Sequence, residues 1–108
     1  MDYTIIMNRF YESRDAYRNI LVNSFNYLNS LPTTWYEPLL ANIIIVTLEA
    51  ISKAATEYML CHNNYMKELR KNGDELSEED ARLHNIILDK ISYCEDLHDK
   101  FVEKYVEK

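Results

Sequence analysis

Residues 39–64 read LLANIIIVTLEAISKAATEYMLCHNN, a run that opens like a buried β-strand and closes like a helix. Which of the two it is decides the fold. NIIIV is β-branched enough for a strand, and periodicity cannot separate a buried strand from a buried helix over so few residues. No turn residue follows it, however. The chain continues TLEAISKAATEYMLCHNNYMKELRK, through Ala, Leu, Glu, Lys and Met, all good helix formers. The stretch therefore predicts one helix over about residues 36–72. Its apolar stripe would be Tyr36, Leu40, Ile43, Thr47, Ile51, Ala54, Tyr58, Cys61, Tyr65 and Leu69, stepping by three or four. Asn42, Glu49 and Lys53 interrupt the apolar window and argue against a membrane span.

Working outward, NSLPTTWYEP breaks the chain before this helix. Thr34 and Glu37 fit the T-x-x-E capping box, and Pro38 is tolerated in a first helical turn. Upstream, Tyr3, Ile6, Phe10, Ser13, Tyr17, Ile20, Ser24 and Leu28 repeat the three/four spacing. Downstream, KNGDELSEED combines a stop and a start. Gly73 suits the left-handed position just past a helix, and Ser77 with Asp80 caps the next. The last stripe is the most regular: His84, Ile87, Ile91, Cys94, His98, Phe101 and Tyr105. A sustained 3.5-residue repeat implies near-parallel helix axes, and short connections make neighbours antiparallel. The expected fold is all-α, an up-down-up antiparallel three-helix bundle in a single domain, with helices about 3–30, 36–72 and 77–106. Self-association could complete it.

Composition agrees. One Gly and two Pro in 108 residues are too few for a sandwich or barrel, which needs a turn every 8–12 residues or so. A formal net charge of −6 argues against direct binding of nucleic-acid phosphate or of an anionic membrane surface. MDYTIIMNRF has no apolar core of a secretory signal, and two Cys without one read as reduced thiols, so a cytoplasmic protein is expected. Ten Ile, ten Asn and nine Tyr against one Gly suggest an AT-rich gene. Small size, acidity and that bias suit a phage or mobile-element inhibitor of a host enzyme or defence system, acting in the host cytoplasm.

Chemistry is sparsely signalled, and the expectation is a protein that is no enzyme and carries no cofactor. Cys94 and His98 stand four apart on one helical face, a workable spacing for two metal ligands. Glu95 and His98 also match half of a di-iron carboxylate motif. Reflecting the hairpin about residues 74–75 places Cys94 and His98 opposite Ala55 and Ile51, which supply no further ligand. The same register puts Cys61 and Cys94 out of disulfide range, by roughly 9 Å along the axis. His84 follows Asp80 at i+4, the spacing of a surface pair. With one Gly, G-x-S-x-G nucleophile motifs and phosphate-cradling loops are excluded. A metal-dependent bundle enzyme remains the alternative on the Cys94 and His98 pair.

Asp74, Glu75, Glu78, Glu79 and Asp80 form an acidic patch that could mimic nucleic-acid phosphates towards a DNA- or RNA-binding protein. A capped helix start, with acids facing the helix dipole, explains the same residues. Arg9, Arg14 and Arg18 alternate with Glu12 and Asp15, as intrahelical pairs would. Beyond the stripes, apolar residues are left over. Leu39, Ile45 and Val46 point away from the main face of the second helix, with Trp35 just upstream, and Ile86, Tyr93 and Leu97 form a second stripe behind the third. Contiguous exposed apolar surface marks a protein interface, and tyrosine is favoured there. The expected function is protein binding, with a homodimer as the simplest assembly.

Overall fold

The computed structural model describes residues 2–106. Its elements are three helices, α1 (Tyr3–Ser30), α2 (Glu37–Lys71) and α3 (Glu78–Tyr105). The start of α1 is capped by Asp2, whose carboxylate accepts from the Thr4 amide. Between α2 and α3, Gly73 takes a left-handed φ of 71°. Its amide donates to the Arg70 carbonyl while the Asp74 amide donates to that of Leu69, the paired bonds of a Schellman stop. Ser77 then caps α3 by accepting from the Asp80 amide. The capping box expected at Thr34 does not form: Tyr36 is the cap residue and contributes no side-chain bond. Pro38, with its fixed φ and missing N–H, is enough to start α2 there.

Successive helices run antiparallel. Tyr3 meets Tyr65 at one end of the α1–α2 pair; Tyr58 meets His84 and Glu37 meets Tyr105 along the α2–α3 pair. α2 is the shared partner, and no α1 Cα comes within 8 Å of one in α3 among the described residues. The result is a rod of 54 × 26 × 24 Å with a radius of gyration of 16.8 Å, against about 13 Å for a spherical domain of this length.

Phe10, Tyr17, Leu48, Ile51 and Tyr58 are the fully buried centre of the core. Its aromatic part is continuous, with Phe10 against Tyr58 and Tyr65, and Tyr17 stacked on Tyr58. The expected stripes need three corrections. In the first half of α2 the buried face is Ala41, Ile45 and Leu48, not Leu40, Ile43 and Thr47. Ile45 is therefore core, at 7% exposure, while its neighbour Val46 is 64% exposed. In α1, Ile20 turns outward and Leu21 and Phe25 pack inward instead. In α3 the expected stripe faces α2 but lies shallow: only Asp80 and Cys94 are buried, and Phe101 is half-exposed. α2 also contains an 18-residue window of mean hydropathy 1.5, long and apolar enough to cross a membrane by length and composition, with 28% of it buried in the bundle.

Candidate functional site

Where α1 and α3 approach each other, side chains bridge the gap. Asp80, in the first turn of α3, accepts from Arg14 Nη1 and from Tyr11 Oη, each at 2.7 Å. The guanidinium also lies over the Tyr11 ring, 4.9 Å from its centroid. Burial pushes the Asp80 pKa up, but hydrogen bonds from Arg14, Tyr11 and Ser77, aided by the Arg14 charge, outweigh it and hold the carboxyl below its ordinary value. Two expectations change here. Asp80 turns inward and leaves the acidic patch, and Arg14 pairs across the bundle instead of within α1. Of the remaining acids, Glu79 is bonded to Arg82, while Asp74, Glu75 and Glu78 are exposed. Glu78 and Glu79 lie in the first turn of α3, where acids complement the helix dipole.

His84 does not pair with Asp80 either. Its ring stacks on His62 with centroids 3.7 Å apart and planes nearly parallel, and its Nδ1 shares a 2.8 Å hydrogen bond with the Tyr58 hydroxyl. Burial lowers the pKa of both imidazoles, and the nearby His62 lowers His84 further. Both stay neutral near pH 7. Nothing in the spacing of His62 or His84 signals this stack, which depends on the rotation of α2 against α3.

Cys94 and His98 share a cavity of about 350 Å³ between α2 and α3. Leu48, Ile51, Ala55 and Ile91 give it apolar walls, and Glu49, Glu95 and Asp99 stand with His98 around it. His98 Nε2 lies 3.4 Å from Glu49. Burial pushes the Cys94 thiol pKa up, so it is a poor thiolate donor. Among the described residues no three His, Cys, Asp or Glu side chains converge on one point as a metal ion would require. Cys61 and Cys94 are both free. One lining residue comes from outside the hairpin. Tyr17 reaches in from α1, and its buried hydroxyl has no hydrogen-bond partner.

The residues singled out for an interface divide. Trp35, Leu39 and Val46 are exposed, Ile45 is core, and Leu97 is half-buried against the core. Ile86 is exposed, and Tyr93, although exposed, rests its ring on Phe25 of α1. The second stripe of α3 is thus partly a contact with α1. Thirteen large hydrophobic side chains are exposed among the described residues. Nine of them, Ile20, Val22, Tyr27, Trp35, Tyr36, Leu39, Val46, Tyr93 and Val106, lie in the half of the rod that holds the α1–α2 connection. Ile20, Val22, Tyr27, Tyr36 and Val106 were not expected there. A count of apolar residues lying off the expected stripe of the first helix could have found Val22 and Tyr27.

No protein-family model matches this chain, and comparison with curated proteins and with solved structures gives no match either.

Proposed function

We propose that this protein is a small helical protein-binding module whose contact surface is the apolar half of the rod around the α1–α2 connection. The observation that carries the reading is the clustering there of nine exposed large hydrophobics, including Tyr36 at 75% exposure and Trp35 beside it. Isolated exposed apolar residues are ordinary; a concentration at one end, rich in aromatics, is the composition of an interface core. A second copy of the chain is the partner tested first, because two-fold dimers are the commonest closed assembly and use one patch twice. About 800 Å² per partner is typical of a stable pair, and this half of the rod offers apolar anchors on two helices.

Size-exclusion chromatography with light scattering tests it. The expected result at tens of micromolar is twice the 12.9 kDa chain mass, reduced to one by Val46→Glu or Leu39→Glu with helicity unchanged. Ile45→Glu would be uninformative, since that side chain is buried. A wild-type monomer would exclude the homodimer and assign the surface to a different protein. A dimer indifferent to both substitutions would place the interface elsewhere and refute the proposal.

A further inference from the structure

We propose that two copies of the chain pair antiparallel through one stripe of α2, formed by Tyr36, Leu39, Ile43, Val46, Ala50 and Lys53. This rests on the reading of the connection half of the rod as a contact surface, and adds which residues meet and in which direction.

The stripe follows from spacing. Its steps are 3, 4, 3, 4 and 3, the repeat of a coiled-coil seam, and it lies off the buried line of Ala41, Ile45 and Leu48. Tyr36, Leu39 and Val46 are each at least half exposed. Ala50 and Lys53 are exposed too, and Ile43 is half-buried. A helix that already buries one face in the bundle thus presents a second seam to solvent. Aliphatic side chains at that spacing fit another helix, laid nearly along the axis of α2.

Three features select a second copy and set its direction. The first is the lack of charge. Between Arg18 and Glu49 the only charged residue is Glu37, so the surface suits a partner equally poor in charge, and this chain carries one. The second is symmetry. A 3-4-3-4-3 pattern reads the same from either end. Turned end for end, Leu39 meets the partner's Ala50, large against small, and Ile43 meets the partner's Val46. Each contact is made twice about the two-fold axis. At the ends of the seam the Tyr36 ring covers the partner's Lys53, a cation–π pairing. The third is repulsion. Parallel pairing would set Lys53 beside the partner's Lys53. It would also gather the exposed acids Asp74, Glu75, Glu78 and Glu79 of both copies at one end, in chains of net charge −6. Antiparallel pairing holds those ends about 90 Å apart, at 1.5 Å per residue.

Spin labels report the direction. A label on Asn64→Cys, with Cys61→Ser removing the more accessible native thiol, should lie about 60 Å from its copy in the antiparallel dimer. In a parallel one it would lie within about 20 Å. Pulsed dipolar spectroscopy separates the two. Sedimentation equilibrium reads the pairing itself. Leu39→Ala should weaken the dimer at least about tenfold, since each copy loses a central anchor. Adding Ala50→Leu should recover most of that loss, because the missing methyl groups return from the facing position. Both sites are exposed, so the fold should survive, and the label distance does not depend on either substitution. A dimer with labels within about 20 Å, or one that Ala50→Leu fails to rescue, would overturn the antiparallel seam and leave the homodimer standing. A wild-type monomer at tens of micromolar would overturn both.

Discussion

Asp80→Asn should loosen α3 from the rest of the molecule. Asp80 is one of only two buried residues on that helix, so its contacts fasten an element that otherwise lies shallowly on α2. The carboxylate accepts one bond from Arg14 and one from Tyr11, both 2.7 Å long. An amide can satisfy one of those donors but turns an N–H₂ towards the other. It also removes the charge opposite a guanidinium whose side chain is only 18% exposed. Losing a charge-assisted hydrogen bond costs about 1.5–3 kcal/mol, and losing an acid from a first helical turn about 0.3–1 kcal/mol more. The expected total is about 2–4 kcal/mol, close to the cost of breaking a buried ion pair by removing one partner. Urea denaturation measures it, and a cycle with Tyr11→Phe isolates the hydroxyl's share. Amide exchange should rise mainly along α3. The sign of the pH dependence follows as well. Because the folded pKa lies below the ordinary carboxyl value, this stabilisation is complete above that value and is lost as pH falls through the folded pKa. The Asp80→Asn protein should lack that part of the acid transition. A stability loss below about 1 kcal/mol, or an unchanged acid limb, would refute the role given to this contact.

Further predictions concern other parts of the molecule. Ile45→Ala should cost about 2–4 kcal/mol and Val46→Ala under about 0.5 kcal/mol, a one-residue contrast measurable by denaturant midpoints. Phe101→Ala should cost about 1–2 kcal/mol, short of the 3–5 kcal/mol of a fully buried ring, because the side chain is half-exposed. Gly73→Ala should cost about 1 kcal/mol through the backbone alone, since an added Cβ would meet nothing within 4 Å. The His62–His84 stack should make stability fall as pH drops below about 6.5: its folded pKa values are lowered, so unfolded imidazoles take up protons first. Urea midpoints at pH 7.5 and 5.5 should differ, and His84→Asn should narrow the difference.

The parts of the fold legible in the sequence were those set by local chemistry. Gly73, Ser77 and Pro38 act within a few residues of themselves, and each sits at a helix boundary as its chemistry requires. The rotation of α2 was harder to read, for a definite reason. Ile43, Ile44, Ile45 and Val46 are apolar on every face, so a stripe can be drawn through them in more than one register. Polar neighbours fix the register further along, where Ile51, Tyr58, Tyr65 and Leu69 fall on the buried face as spaced. Asp80 and His84 show the complementary failure. Each has a respectable local explanation, as a dipole acid and as an i+4 pair, yet their partners lie across the bundle, 66 residues away for Arg14 and 26 for Tyr58. Sequence spacing carries no information at that range.

The uneven burial of the rod ties these results to function. Around Phe10, Tyr17, Tyr58 and Tyr65 three helices converge and aromatic rings touch ring to ring. Beyond Leu48, towards the α1–α2 connection, α3 contributes only half-buried side chains such as Phe101 and Tyr105. Its polar contacts with α2 there, from Lys104 and Tyr105 to Glu37, are exposed, and exposed ion pairs add little. The half of the rod with the weaker core is thus the half with the most exposed apolar surface. A monomer would lose stability there twice, through thin packing and through hydrated hydrophobics. Covering that surface would repair both deficits, and by linkage the binding energy of a partner would appear as folding stability. Amide exchange in the first turns of α2 and the last turns of α3 should therefore slow as protein concentration rises through the dimer range, while exchange around Tyr58 should not change. Concentration-independent protection at both ends would separate the exposed surface from self-association.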